Sequence, residues 1–229
     1  MLSPDFIPLS VPPGTICLTF DDGPGVRTLE IAELLAKNKM RATFFVLGKQ
    51  VAKYPDTVRR VRDLGHWIGN HTFSHPPLAR LVAKGGAAIA IAEVVRTDRM
   101  IVDLIGNGPF LLRPPYGDWT PAVADALNRS IELQKYVGPI FWDIQFADWQ
   151  IGDTRNDRPW TLKECRAEYL SAIESRASGV VLMHDISSGP HKLGAKARAH
   201  HRTFELVEWL VPRIAGRYEF RGLDELIPA

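Results

Sequence analysis

Two adjacent carboxylates, Asp21 and Asp22, follow the apolar run Thr15 to Phe20 and precede a Gly23-Pro24 turn. Further along, His71 and His75 bracket Thr72-Phe73-Ser74. Two imidazoles and one carboxylate make an open three-ligand site for Zn²⁺ or a similar divalent ion, with a position left for water. Asp22 would be that carboxylate. If the segment after Asn70 begins a helix, a spacing of four puts both imidazoles on one face, one turn apart. Each cluster alone has a plainer reading. A histidine pair at this spacing is often structural or on the surface, and Asp-Asp-Gly also reads as a strand-to-turn junction whose second aspartate caps the next helix. What joins the two clusters is their position, because each comes directly after an apolar run.

Apolar runs bounded by Gly and Pro read as buried strands, and 3.6-residue periodicity reads as helix. Strands are expected at Thr15 to Phe20, Ala42 to Leu47, His66 to Asn70, Phe110 to Leu112, Ile140 to Trp142, Gly179 to Met183 and Arg217 to Phe220. Helices are expected at Thr28 to Lys37, Tyr54 to Leu64, Gly86 to Ile105, from Thr120-Pro121 onward, Thr161 to Ala177 and Arg202 to Ile214, with a last helical turn at Leu223 to Ile227. Seven strands alternating with helices imply parallel strands joined by right-handed crossovers. The expectation is one barrel-like α/β domain over 1–229, its core about 14–222. Chemistry in such barrels gathers at the carboxyl ends of the strands, where the polar clusters fall.

Composition narrows the partners. The 229 residues are 45% hydrophobic and 24% charged, enough for one sizeable core, and the formal charge of +2 gives no electrostatic reason to bind nucleic acid or an anionic membrane. Cys17 and Cys165 lie far apart with no CxxC spacing and read as plain buried thiols. No stretch reaches the ~20 apolar residues of a membrane span. Met1 to Pro13 lacks the basic and apolar regions of a secretory leader, so the chain as it stands reads as cytoplasmic; loss of a leader upstream would make it secreted or part of the cell envelope. His66, His191, His200 and His201 have no partner at ligand spacing and read as surface or loop residues. The polar loop Gln150 to Pro159, with Asp153, Arg155, Asp157 and Arg158, reads first as a solvated connector and second as a border of the substrate groove.

Five motifs then come in one order: Thr19-Phe20-Asp21-Asp22-Gly23-Pro24, His71-Thr72-Phe73-Ser74-His75, Arg113-Pro114-Pro115-Tyr116-Gly117, Asp148-Trp149 and Leu182-Met183-His184. In this the chain resembles the polysaccharide deacetylases, the carbohydrate esterase family 4 or NodB-homology domain, over nearly its whole length. The resemblance implies a distorted (β/α) barrel and hydrolysis of acetyl groups on N-acetylglucosamine-containing oligo- or polysaccharide, of peptidoglycan or chitin type. It implies a divalent metal, Zn²⁺ first and Co²⁺ or Ni²⁺ as alternatives, on Asp22, His71 and His75. Asp21 resembles the general base, Arg113 the residue that pairs with it, and His184 the general acid held by Asp148. Tyr116 would stabilise the tetrahedral intermediate, chiefly through its backbone N–H, and line the groove. Leu182 would pack on the acetyl methyl, and Trp142 and Trp149 would wall the sugar groove.

One departure stands out. The fourth motif usually carries an earlier aspartate where this chain has Gln145, and Asp143, two positions earlier, would share its face on a strand. Substrate preference or a supporting network is what this affects. Two alternatives keep the site: an O-acetyl xylan esterase, or a deformylase or imide hydrolase of the same fold acting on a small intracellular molecule. A non-catalytic carbohydrate- or metal-binding domain would show loss of Asp21, His184 or a ligand, and none is lost.

Overall fold

The computed structural model describes residues 1–106, 108–151, 158, 160–186 and 202–227. Its centre is β1, Thr15–Asp21, whose seven residues are all buried, as a strand covered on both faces must be. Around it lie β2 (Ala42–Val46), β3 (Trp67–Asn70), β4 (Phe110–Leu111), β5 (Tyr136–Val137), β6 (Ile144–Gln145), β7 (Gly179–His184) and β8 (Glu219–Phe220). Every pairing among them is parallel. The main sheet runs β3-β2-β1-β7-β6, and β8 lies beside the first two residues of β1. β4 pairs with β5, and a parallel bridge from Asn70 to Leu112 carries the curve on from β3. Residues 3–7 lie along 138–141 through a bridge between Ile7 and Ile140. The fold is a parallel α/β barrel that is distorted and not closed by strand pairing among the described residues.

The helices are α1 (Thr28–Lys37), α2 (Gly48–Val51), α3 (Pro55–Asp63), α4 (Leu78–Ala83), α5 (Ala87–Ile105), α6 (Pro121–Asn128), α7 (Leu162–Arg176) and α8 (Thr203–Ile214). α7 opens with a capping box: Thr161 accepts from Glu164 N–H, while the Glu164 carboxylate accepts back from Thr161 N–H. The largest apolar cluster joins β1, β2 and β7 to α1, α3, α7 and α8 through residues such as Phe20, Phe44, Ile31 and Leu210. A second, around Leu78, Val94, Leu127 and Tyr136, packs α4, α5 and α6 together.

Four expectations need correction. Residues 71–77 form no helix. The strand expected at Ile140 to Trp142 is reduced to the bridge at Ile140, because the β7 ladder takes up Ile144 and Gln145 instead. The short elements β5, β6, α2 and α4 are absent from the sequence expectations. His66 is 2% exposed, not a surface residue. Its Nδ1 accepts from Ala42 N–H at 3.2 Å, so its Nε2 carries the proton and donates to the Ala32 carbonyl at 2.9 Å, tying α1 to β2. Both cysteines are buried and free. His191, His200, His201, Asp153, Arg155 and Asp157 lie outside the described residues, and Arg158 is exposed.

Candidate active site

Parallel strands all point one way, so their carboxyl ends share one mouth. Across the sheet, β7 ends at His184, β1 at Asp21, β3 just before His71, and the β4 segment just before Arg113. Asp21 and His184 are register partners on adjacent strands. The five motifs, spread over most of the chain, meet here because each lies at a strand's carboxyl end or in the loop that follows it.

Asp22 leaves β1 with φ 83°, a left-handed backbone that aspartate tolerates better than most residues. That turn aims its carboxylate across the mouth. Nε2 of His71 and of His75 lie 3.4 Å and 3.1 Å from Asp22 Oδ1. The candidate ligand atoms all lie within 4.8 Å of one another. Donors held tetrahedrally around a zinc ion at ~2.0–2.2 Å sit about 3.4 Å apart, so the spacing fits. Although the two ring nitrogens are close, among the described residues no donor meets the buried Asp22 Oδ1 with hydrogen-bond geometry, and His75 Nδ1 is buried without a partner. An orphaned anionic oxygen between two ring nitrogens is costly unless a cation completes it. His71 Nδ1 lies 2.7 Å from the Arg113 carbonyl and must donate to it. In neutral His71 the lone pair therefore sits on Nε2, the tautomer a metal needs. The residues fit a divalent cation.

The electrostatics agree. Burial alone would push the Asp22 carboxyl up, but His71 and His75 hold it well below the usual carboxylate range. Burial lowers His75, leaving it neutral and able to ligate. Burial would also lower His71, yet Asp21 and Asp22 override it and raise its pKa.

Two carboxylate–cation pairs flank this cluster. Arg113 is fully buried; its Nη1 donates to Asp21 Oδ1 at 2.9 Å and to Thr19 Oγ1 at 2.7 Å. Its guanidinium lies 4.2 Å over the Phe45 ring. On the other side His184 Nδ1 donates to Asp148 Oδ1 at 3.0 Å, which leaves Nε2 for chemistry. Burial would lower the His184 pKa, but Asp148 raises it to about 9. Asp148, fully buried, also accepts from His184 N–H at 2.7 Å and Thr203 Oγ1 at 3.0 Å.

The remaining expected residues fall around this mouth. Tyr116 adopts φ 60°, is 58% exposed, and sets its ring edge-on to His75 at 4.4 Å between centroids. Trp149 packs edge-on to His184 at 4.8 Å, and Trp142 lies 5.6 Å from the Arg113 guanidinium. Leu182 is buried on β7, beside Thr19 and Gln145. Gln145 itself is exposed. Asp143 does not stand in for an acid at that position: it accepts from Val180 N–H and Arg176 at the amino end of β7, away from the mouth.

Four further residues support the mouth without having been anticipated. Thr19 holds Arg113, Thr203 holds Asp148, and the Tyr169 hydroxyl packs 3.3 Å from Asp148 while bonding the Leu182 carbonyl at 2.8 Å. Asp185, buried against Gly23, accepts from Thr28 Oγ1 and so clamps the Asp22 turn to β7; burial pushes its carboxyl up to about 7. Only Thr19 lay within a motif, and Asp185, next to His184, could have been flagged by adjacency. Tyr169 and Thr203 carried no local signal.

Comparison with known proteins fits this arrangement. The profile of the polysaccharide deacetylase family matches residues 9–131, more than half of the chain. The peptidoglycan-N-acetylmuramic acid deacetylase PdaC of Bacillus subtilis is 39% identical over 59% of this chain and 27% of its own length. A chitooligosaccharide deacetylase from Bradyrhizobium is 31% identical over 93% of this chain and 90% of its own. The solved structure of PdaC superposes with a TM-score of 0.62 at 28% identity, covering 93% of this chain and 90% of that one. The chain spans 27% to 59% of the length of the first three curated relatives. Matched in profile, in sequence and in fold, this chain belongs to the polysaccharide deacetylase family.

Proposed function

We propose that this protein removes acetyl groups from N-acetylglucosamine units of an oligo- or polysaccharide, of peptidoglycan or chitin type, with a divalent cation, Zn²⁺ first and Co²⁺ or Ni²⁺ as substitutes. The observation that carries the reading is the orphaned Asp22 oxygen between two imidazoles, flanked by one carboxylate paired to Arg113 and one imidazole paired to Asp148. Asp22, His71 and His75 would hold the cation, which when bound would polarise the acetyl carbonyl and bring the pKa of water from 15.7 toward about 7.

The protein's own groups supply the proton transfers. Asp21 has one oxygen tied to Arg113 and the other 3.7 Å from His71 Nε2, at the centre of the site. That second oxygen takes the proton of the attacking water as its oxygen bonds to the carbonyl carbon. Arg113 fixes the carboxylate and stays charged throughout, since a guanidinium does not give up its proton. When the C–N bond breaks, His184 Nε2 gives its proton to the departing nitrogen and acetate leaves. With its pKa raised to about 9, His184 carries that proton at neutral pH. The Tyr116 backbone N–H would stabilise the developing oxyanion, Leu182 would receive the methyl, and Trp142 and Trp149 would stack on the sugar. The names of the relatives support the amino-sugar substrate, one acting on peptidoglycan and another on chitooligosaccharides.

The test is acetate release from N-acetylglucosamine oligomers and from O-acetylated xylan, after chelation and after adding back Zn²⁺ or Co²⁺. Release from the amino-sugar oligomers that needs added metal is the expected result. Release from xylan alone would move the activity to esters. No release from either, with metal bound, would overturn the polymer substrate.

A further inference from the structure

The loop that carries both candidate histidine ligands has no regular structure, so its backbone N–H groups need other acceptors. Thr72 N–H donates to Asn70 Oδ1 at 2.8 Å and His75 N–H to Thr72 Oγ1 at 3.2 Å. The two between them go to one residue from elsewhere. Glu93, on α5, accepts from Phe73 N–H at 3.1 Å and Ser74 N–H at 2.7 Å with Oε2, and from Ser74 Oγ at 2.8 Å with Oε1. Glu93 is 9% exposed and lies outside all five motifs.

This anchoring matters because the loop is strained. Thr72 and His75 both sit at positive φ, 71° and 69°, and neither is glycine. Such conformations are unfavourable for residues other than glycine and persist only where the surroundings over-determine them. Without them a four-residue separation outside a helix would not bring two imidazoles onto one oxygen. A carboxylate is suited to the task, since it accepts several hydrogen bonds at once and has no N–H to repel an amide. The Arg96 guanidinium, 3.5 Å over the Phe73 ring, presses the same loop onto α5.

We propose that Glu93 is a positioning residue of the candidate metal centre: by holding Phe73 and Ser74 it sets the backbone that converges His71 and His75 on Asp22. The proposal rests on the reading of those three residues as a cation site. It separates from a general charge effect, because an amide in place of the carboxylate can still accept from both N–H groups and donate to Ser74 Oγ.

The experiment is competition of Zn²⁺ and Co²⁺ between the protein and a chromophoric chelator, together with the visible spectrum of the Co²⁺ form. The variants are Glu93→Ala, Glu93→Gln and Ser74→Ala, with thermal unfolding of each metal-free protein alongside. Glu93→Ala should weaken cation binding 10- to 100-fold, the range seen when partners behind metal ligands are removed, and should alter the Co²⁺ spectrum. Glu93→Gln should stay within about threefold of the parent protein, and Ser74→Ala should lose a few-fold, on the expectation that one hydrogen bond is worth about 1 kcal/mol. Ser74→Ala keeps the test decisive if Glu93→Ala does not fold. Parent affinity and spectrum in both alanine variants would overturn the proposal, even with lowered melting temperatures, since that is what a merely structural role predicts. If the unmodified protein binds neither ion, the cation reading itself fails and takes this proposal with it.

Discussion

Asp21 and Asp148 are both buried carboxylates facing a cation at the same mouth, yet their surroundings differ in one respect. Asp148 accepts from the ring and the backbone of His184 and from Thr203, with the Tyr169 hydroxyl 3.3 Å away. Asp21 accepts from Arg113 alone among the described residues, and only through Oδ1. A carboxylate with both oxygens engaged by donors has little room to receive a proton from substrate or water, while one with an open oxygen at the reacting centre is within reach of it. Their cations differ in the matching sense. The guanidinium of Arg113 cannot release a proton, whereas the imidazole of His184 can. On the proposed mechanism the same kind of pairing would serve as a base on one side of the mouth and as an acid on the other.

Breaking the Asp21 side should have the largest effect. Asp21→Asn keeps an amide oxygen to accept from Arg113 but removes the basic oxygen, so kcat should fall by roughly 10³, inside the 10²–10⁴ typical of such groups. Cation affinity should change by no more than a few-fold. A variant retaining full turnover would return the role of base to another group.

The Asp148 side should show itself in pH dependence of stability. His184 has a folded pKa of about 9 against an unfolded value near 6.5. A raised histidine contributes stability that is fully present below 6.5 and is lost as pH rises through 9. The difference of roughly 2.5 units corresponds to about 3 kcal/mol. Urea unfolding of the metal-free protein at pH 6.5 and pH 9.5 should reveal that loss, and Asp148→Asn should largely abolish it. An equal loss in the variant would mean that other groups cause it.

The cluster between the two sides gives a smaller signal. Because Asp21 and Asp22 raise the His71 pKa, part of the metal-free protein carries a proton there at pH 7, and a cation must displace it. Calorimetric titration in buffers of different ionisation enthalpy should find up to one proton released per ion. The corresponding pH dependence is about 1.4 kcal/mol of affinity per pH unit below the His71 pKa. Binding without proton release would show that His71 is neutral beforehand.

The comparison also shows what the sequence made legible. The motif residues stand out because each motif lies at or within a few residues of a strand's carboxyl end, and parallel strands bring such ends together. His71 and His75 were found for a wrong reason: their spacing suggested a helix face, while the loop uses two left-handed residues and borrowed acceptors. Nothing periodic marks such a loop, and Glu93 reaches it from another helix. Two-residue strands such as Ile144–Gln145 are too short for alternation to register. His66 reads as a surface residue in the sequence because its partners are backbone groups of Ala32 and Ala42, which a sequence cannot display. Tyr169 and Thr203 carry no local signal for a different reason: the side chain they meet, Asp148, is 21 and 55 positions away.

Tyr169 gives the smallest effect and the finest test of the comparison. Its hydroxyl is fully buried, accepts from Phe146 N–H at 3.2 Å, and lies 2.8 Å from the Leu182 carbonyl as well as 3.3 Å from Asp148 Oδ1. It has one proton, and the shortest contact takes it, so its support of Asp148 is secondary to its hold on β7. Tyr169→Phe should therefore cost about 1 kcal/mol of stability, the usual worth of a buried hydrogen bond. It should leave the alkaline loss of stability through pH 9 nearly unchanged, because His184 N–H, His184 Nδ1 and Thr203 still hold the carboxylate. A collapse of that loss in Tyr169→Phe would mean that the hydroxyl proton serves Asp148, and that the acid side depends on a helix more than on its strand.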